Sequence, residues 1–152
     1  GASLDGKFGE AHEPESHLIP RAIAAAMNNE TFTVFGNDYP TKDGTCIRDY
    51  IHIEDLATAH ILALEKVMSD NKSDDYNLGS GKGYSNKEII DMIKKITQKD
   101  FPIKIKKRRF GDPPVIFTSL DKAKQKLKFD PKYSDLETII STAWNWHSKQ
   151  NF

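Results

Sequence analysis

The sequence predicts an α/β fold in which small sheets are covered by helices of moderate length. Three observations indicate it: apolar residues recur at helical spacing in several segments, short β-prone runs alternate with these segments, and turn residues separate the two. A chain of 152 residues is long enough to bury a hydrophobic core. We therefore expect one domain over residues 1–152.

The first third of the chain predicts one helix and two strands. The helix covers residues 18–28, where apolar residues recur at every fourth position beside three alanines. A short β-prone run covers residues 31–35 and ends at Gly36. Residues 46–53 alternate apolar and polar side chains, which is typical of a strand. Residues 1–10 instead open in loop-like sequence, which suggests either a tail or the second half of a longer protein.

Helices dominate the remainder of the chain. Asp55 is predicted to cap a helix whose core-facing stripe contains Leu56, Ala59, Ala63 and Val67. Two capping boxes predict two further helix starts, at Ser85 with Glu88 and at Ser134 with Glu137. A short helix is expected over residues 121–127.

Composition narrows the classes of partner. Basic and acidic residues are equal in number, at 22 each, so no net field attracts the chain to nucleic acid or to a membrane. No apolar run is long enough to span a bilayer, and no signal peptide is recognisable. The single cysteine, Cys46, indicates a reducing compartment. We expect a cytoplasmic protein with no nucleic-acid or membrane partner.

Two kinds of site find little support in the sequence. The five histidines lack a recognisable ligand spacing, so we expect no metal site. Cys46 lies two residues from Arg48, whose charge could lower the pKa of the thiol, but no general base accompanies it. A small strand residue is the better interpretation of Cys46.

The glycine cluster over residues 79–83 invites a phosphate-binding interpretation, since a predicted strand precedes it and a capped helix follows. Its glycines stand at every second position, which matches neither G-x-G-x-x-G nor the P-loop. A tight strand-to-helix turn explains it better.

Residues 101–106 alternate as an amphipathic strand would, and a basic segment over residues 104–109 overlaps the end of this predicted strand. Ile103 and Ile105 share strand parity with Arg109, so Arg109 is expected to lean toward the apolar side. An inward arginine needs an anionic partner, because an unpaired buried charge is costly.

Two segments carry a family resemblance. Residues 35–56, FGNDYPTKDGTCIRDYIHIEDL, and residues 108–113, RRFGDP, resemble the carboxyl-terminal half of UDP-glucose 4-epimerases, which are extended short-chain dehydrogenase/reductases. The resemblance implies a UDP-sugar-binding lobe of small sheets and helices, without the amino-terminal Rossmann half. It also implies UDP-glucose and UDP-galactose as ligands, NAD in the intact enzyme, and a homodimer of that enzyme.

The same resemblance assigns substrate-binding roles. Arg48 and Arg109 match the arginines that hold the diphosphate, Asp112 matches the ribose partner, and Ile116 matches a position that governs sugar size. The other matched positions, which face the nucleotide or its surroundings, are His17, Leu18, Thr33, Phe35 and Asn86.

Catalytic and cofactor residues are not among the matches. The family uses a Tyr-x-x-x-Lys pair, and no tyrosine here has a lysine four residues on. We therefore expect no catalytic residue, no bound NAD and no epimerase turnover in this chain alone. UDP-glucuronate decarboxylases and dTDP-sugar dehydratases are alternatives, although the long connection over residues 38–45 favours the epimerases. A stand-alone module that binds a nucleotide sugar or a protein is a further alternative.

Overall fold

A computed structural model describes residues 1–149. Residues 1–17 form loops, and five helices and five strands follow in this described part. In chain order they are α1 (Leu18–Asn28), β1 (Phe32–Phe35), β2 (Ile47–Asp49), α2 (Ile53–Asp70), β3 (Gly83–Ser85), α3 (Asn86–Thr97), β4 (Ile103–Lys106), β5 (Val115–Ile116), α4 (Asp121–Leu127) and α5 (Leu136–His147). The predicted α/β class is confirmed, and the last three residues of the predicted domain lie outside the described part.

The strands form two small sheets. Parallel strands β1 and β4 pair with Phe32 opposite Ile103. In the second sheet β2 is central, antiparallel to β3 and parallel to β5. Arg48 therefore lies between Tyr84 on one side and Ile116 on the other, at the middle of this sheet.

Two apolar clusters hold the elements together. The larger joins α1, α3 and α5 to β1, and Ile23, Ile89, Ile93 and Ile140 are fully buried in it. The smaller cluster packs α2 against α4 around Phe129. The periodic positions that predicted α1, α3 and α5 supply the larger cluster, because each helix presents one apolar face to the others.

Three strand predictions need correction. β2 covers only Ile47–Asp49, because β3 and β5 pair with no residue beyond these three. The strand expected before the glycine cluster is not formed, and the described residues offer it no pairing partner. β4 was expected to be amphipathic, but Ile103 and Ile105 are 37% and 46% exposed. Among the described residues, the strand pairs only with β1 in a two-stranded sheet, so neither of its faces is covered.

Two predicted helix caps, Asp55 and Ser134, are also wrong, because other residues cap these helices. His52 caps α2, with its Nδ1 accepting from the backbone N–H of Glu54 at 3.1 Å. Asp135 caps α5. Asp55 and Ser134, the residues predicted to cap these helices, are buried and bond to each other at 2.5 Å. The capping box of Ser85 and Glu88 is confirmed.

Helix α2 leaves an apolar stripe in solvent. Ala59 packs into the smaller cluster, whereas Ile61, Leu64 and Met68 on another face are 59%, 60% and 76% exposed. Val67, predicted to face the core, is also 42% exposed. None of the helices in residues 1–149 combines the length and apolar character needed to cross a lipid bilayer.

Candidate functional site

Most of the predicted site residues meet at one cavity. It has a volume of about 210 Å³ and lies between the start of α1, strands β1 and β2, and the loop that joins β4 to β5. Seven of the nine predicted residues line it: Leu18, Thr33, Phe35, Arg48, Asn86, Arg109 and Asp112. Folding therefore brings together residues that are up to 94 positions apart in sequence, from Leu18 to Asp112.

Arg48 is held at this cavity by β2 and by an ion pair. Its Nη1 donates to the carbonyl of Ile47 at 2.7 Å, and its Nη2 pairs with Oδ1 of Asp112. The Arg48 and Asp112 side chains are only 22% and 26% exposed. Partial burial strengthens the attraction between them, because water screens the two charges less.

The other oxygen of Asp112 is held by a buried tyrosine. The hydroxyl of Tyr39 donates to Asp112 Oδ2 at 3.3 Å, and Tyr39 is 4% exposed. The guanidinium of Arg108 stacks on the Tyr39 ring at 4.4 Å and pairs with Asp38 at 2.7 Å. The loop over residues 37–45 thus fixes the orientation of the Asp112 carboxylate.

Arg109 lines the cavity, but strand parity is not the reason for its position. β4 ends at Lys106, so Arg109 is in the following loop and is exposed rather than turned into an apolar interior. Its guanidinium lies over the Phe35 ring at 4.1 Å. No carboxylate within residues 1–149 forms an ion pair with Arg109, so its charge is available to a ligand.

The cavity is electropositive. Three arginines and one aspartate line it, which gives a net charge of +2, and the third arginine is Arg21 on α1. Arg21 also has no ion-pair partner in the described part of the chain. A concave site with surplus guanidinium groups favours a ligand that carries more than one negative charge.

Cys46 lines this cavity, but its thiol is not activated as a nucleophile. Its thiol accepts from the side-chain amide of Asn86 at 3.2 Å. Burial raises the pKa of the Cys46 thiol, and the attraction of the nearby Arg48 charge does not offset this effect. The thiol therefore stays protonated at neutral pH. Cys46 precedes β2, which begins at Ile47, so the interpretation of Cys46 as a strand residue is wrong.

Two predicted site residues lie outside this cavity. His17 lines a neighbouring cavity of about 600 Å³, which shares Leu18, Arg48 and Tyr50 with the first. Ile116 lies beside Arg48 in the β2–β5 pairing and is 50% exposed. Arg48 thus links both residues to the first cavity, since it lines the cavity of His17 and pairs with Ile116.

Six lining residues were not predicted: Ser16, Arg21, Phe32, Val34, Cys46 and Tyr50. Strand alternation offered a signal for two of them, since positions 46, 48 and 50 share one side of an extended segment. Burial raises the pKa of Tyr50 to about 12, so its hydroxyl is a neutral hydrogen-bonding group. Arg21 had no such signal, because it belongs to the polar side of α1.

The glycine cluster is not a phosphate cradle in this structure. Both carboxylate oxygens of Asp49 face it: Oδ1 accepts from the backbone N–H of Ser80 at 2.9 Å, and Oδ2 accepts from that of Gly81 at 3.3 Å. A carboxylate already occupies the amides that a phosphate would need. The described residues therefore do not fit the diphosphate of a dinucleotide cofactor at this turn, as the glycine spacing predicted.

Known proteins similar to this chain come from one family. The sequence profile described as "NAD dependent epimerase/dehydratase family" matches residues 3–79. A UDP-glucose 4-epimerase of Halalkalibacterium halodurans is 48% identical over 150 residues, which is 98% of this chain and 45% of that protein.

Solved structures show the same similarity. The UDP-glucose 4-epimerase of Brucella ovis in complex with NAD is 48% identical and superposes with a TM-score of 0.89, over 95% of this chain and 45% of its own. The enzyme of Bifidobacterium longum in complex with NAD⁺ and UDP is 32% identical, with a TM-score of 0.87 over 98% of this chain and 44% of its own. The chain thus spans about 45% of the length of the proteins it matches.

Proposed function

Because the chain belongs to the NAD dependent epimerase/dehydratase family, we propose that residues 1–152 are the UDP-sugar-binding domain of a UDP-glucose 4-epimerase, which interconverts UDP-glucose and UDP-galactose. One observation carries the proposal: Arg48 and Arg109 line a single electropositive cavity. The relatives described above, which are similar to this chain over nearly its whole length, are UDP-glucose 4-epimerases.

The two arginines serve as a diphosphate clamp in this proposal. Arg109 has no carboxylate partner among residues 1–149, and Arg48 keeps free N–H donors besides those used by Ile47 and Asp112. Guanidinium groups bind phosphate oxygens by charge-assisted hydrogen bonds, often in pairs. The surplus charge of the cavity matches the two ionised phosphates of a UDP-sugar.

The nucleoside lies next to the clamp. Asp112 accepts hydrogen bonds from the ribose hydroxyls. Arg48 and Tyr39 hold the Asp112 carboxylate in place for this role. Leu18, Thr33 and Phe35 surround the uracil. Thr33 acts through its backbone, whereas the Phe35 ring also supports the guanidinium of Arg109.

The sugar extends toward the edge of the site near Ile116. Isoleucine is intermediate in bulk between tyrosine, which narrows such a pocket, and serine or cysteine, which open it. Pocket space for one methylene group discriminates substrates by about 1 to 3 kcal/mol. We infer a preference for glucose and galactose over their N-acetylated forms.

NAD belongs to the intact enzyme in this proposal, where it supplies the hydride acceptor. The glycine turn of this chain does not fit it, because Asp49 fills the turn's amides. We infer that residues outside this chain hold NAD and supply the acid–base tyrosine and lysine. The residues described above bind and orient the substrate.

An amino-terminal Rossmann half is the proposed partner of this domain, and the stripe on α2 is its docking surface. Ile61, Leu64 and Met68 are each more than half exposed on one face of this helix. A row of apolar side chains exposed on one helix face is typical of a surface that a partner protein covers. Residues 71–78 have no strand partner in the described part, and they follow directly from this helix.

The proposal extends to location and assembly. A single cysteine, buried and not in a disulfide, supports a cytoplasmic location. A homodimer of the intact enzyme follows from the family resemblance alone, and its mass in solution tests it.

Reconstitution tests the proposed function. The purified chain is assayed for conversion of UDP-galactose to UDP-glucose with excess NAD, alone and with an added amino-terminal half from a related epimerase. We expect no turnover from the chain alone and measurable turnover from the mixture, which Arg109→Ala reduces. Turnover by the chain alone, free of contaminating enzyme, would contradict the proposal.

A further inference from the structure

We propose that Glu10, His12 and His17 form a binding site for Zn²⁺ in the loop that precedes α1. No ligand spacing is recognisable in the sequence, but the bend at residues 13–14 brings the rings of His12 and His17 to a centroid distance of 5.5 Å. One ligand atom from each of the three residues lies within 4.8 Å of the other two.

The distances suit a tetrahedral ion. Oε1 of Glu10 lies 3.7 Å from Nδ1 of His12 and 3.5 Å from Nδ1 of His17. In a tetrahedral zinc site with bonds of about 2.0 to 2.1 Å, the ligand atoms lie about 3.3 Å from one another. Both distances are close to this value, and all three ligand atoms lie within 4.8 Å of one another, so side-chain rotations bring them onto one ion.

The donor set selects a class of metal. Two imidazole nitrogens and one carboxylate oxygen suit Zn²⁺ and its neighbours in the first transition series, whereas Mg²⁺ and Ca²⁺ prefer oxygen ligands alone. The three side chains are 49% to 57% exposed, so a hydrated ion can reach them. Three protein ligands leave one coordination position for water.

Contacts around the loop hold these ligands in place. The indole N–H of Trp146 on α5 donates to the carbonyl of Glu10 at 3.2 Å. At the other end, the carboxylate of Glu15 accepts from the backbone N–H of His17 at 2.7 Å and contacts its Nδ1 at 2.9 Å. The contact between Glu15 and Nδ1 of His17 gives way when that nitrogen binds the ion.

The site also adjoins the cavity next to the arginines. Glu10 and His17 line the same neighbouring cavity as Arg48. An ion at this point would close residues 10–17 into a loop and fix the start of α1. The inference uses only the positions of these three ligands, and its test requires no nucleotide.

Metal binding is measured directly on the untagged chain after removal of metals with EDTA. Zn²⁺ is titrated by calorimetry, and Co²⁺ is added as a spectroscopic probe whose visible absorption reports tetrahedral coordination. We expect one ion per chain and visible Co²⁺ bands that Zn²⁺ abolishes. The variants His12→Ala, His17→Ala and Glu10→Gln should each weaken Zn²⁺ binding at least tenfold, with circular dichroism unchanged.

His60→Ala is the matched control. His60 is an exposed histidine on α2 whose Nδ1 contacts the carbonyl of Leu56 at 2.7 Å, and it is not part of the three-residue set. Its loss should leave Zn²⁺ affinity unchanged. Absence of the Co²⁺ bands, wild-type affinity in the His12 and His17 variants, or an equal loss in His60→Ala would each overturn the proposal.

Discussion

Arg48 on β2 and Asp112 in the loop before β5 form an ion pair at the cavity, although 64 positions separate them in sequence. The family resemblance gives these two residues separate roles, since it implies that Arg48 binds the diphosphate and that Asp112 binds the ribose. Their pairing implies that each residue orients the other before a ligand arrives. Prior orientation lowers the entropic cost of binding, because the side chains are already ordered.

Removing either arginine should weaken UDP binding. Charge-assisted hydrogen bonds contribute about 1.5 to 3 kcal/mol, so Arg48→Ala and Arg109→Ala should each raise the Kd roughly tenfold or more. Calorimetric titration of UDP measures the effect. Lys107→Ala, which removes an exposed charge two residues from Arg109, should bind UDP as the unmodified chain does. Unchanged affinity in both arginine variants, with folding intact, would remove the clamp.

Asp112→Ala should separate the contribution of the ribose to UDP binding from that of the diphosphate. UDP binding weakens because a hydrogen bond to a ribose hydroxyl is lost, whereas inorganic pyrophosphate keeps its affinity or gains some. The gain follows from the release of Arg48, whose Nη2 is no longer paired with a carboxylate. Parallel titrations of the two ligands provide the test, and an equal loss for both would argue against a ribose contact.

The buried contact between Asp55 and Ser134 should dominate the stability of the carboxyl-terminal segment. The Asp55 carboxylate accepts from the backbone N–H groups of Lys132 and Tyr133 at 2.8 and 2.9 Å, as well as from Ser134. Asp55→Ala leaves these donors without a partner and should lower the free energy of unfolding by about 3 kcal/mol or more.

Ser134→Ala should cost less, about 1 to 3 kcal/mol, because it leaves the backbone N–H of His52 without a partner while Asp55 Oδ2 keeps its bond from Tyr133. Ser69→Ala on the exposed face of α2 serves as the control and should change stability by less than about 0.5 kcal/mol. Urea unfolding followed by circular dichroism measures all three variants. Equal midpoints for the variants at positions 55, 69 and 134 would refute the role of this contact.

The attachment of the loop over residues 37–45 should weaken in acid. Burial opposes ionisation of Asp43, but hydrogen bonds from the Ser85 hydroxyl and from Thr45 prevail and lower the pKa of Asp43. A lowered pKa in the folded state means that ionised Asp43 adds stability above its unfolded pKa of about 3.9. That stability is lost as the pH falls through the folded value.

Asp43→Asn should therefore be less stable than the unmodified chain at neutral pH, and the difference should shrink below about pH 4. Unfolding midpoints measured from pH 3 to 7 give the comparison. A difference that stays constant across this range would show that the Asp43 charge does not fasten the loop.

The apolar stripe on α2 should be required for docking and dispensable for folding. Leu64→Glu and Met68→Glu change residues that are 60% and 76% exposed, so the isolated chain should keep its unfolding midpoint. Both should weaken binding of an added amino-terminal half, because they place a charge in an apolar interface. Glu65→Gln, on the same helix, should not. Biosensor titrations of the two halves decide the matter, and wild-type binding by both variants would assign docking to another surface.

Local patterns predicted the helices well, because helical periodicity and capping depend on neighbouring residues. The bounds of α1 and α4 agree with the prediction residue by residue, and the Ser85 cap is as predicted. The failures involve contacts between distant residues. Asp55 and Ser134 each satisfy a capping rule, yet they bond to each other, and no local pattern reveals that preference.

The candidate site shows the same division. The family resemblance supplied the arginines and Asp112, and the structure adds that Arg48 and Asp112 are paired and that Arg109 rests on Phe35. Strand parity failed for Arg109, because a strand rule applies only while the strand continues, and β4 ends at Lys106. The convergence of Glu10, His12 and His17 could not be predicted, since it depends on how one loop bends.

A crystal structure of the chain with bound UDP tests the central claim most directly. The account predicts the diphosphate within hydrogen-bonding distance of both Arg48 and Arg109, with a ribose hydroxyl donating to Asp112. Uridine diphosphate bound elsewhere on the chain, or bound in this cavity without contact to either arginine, would contradict it.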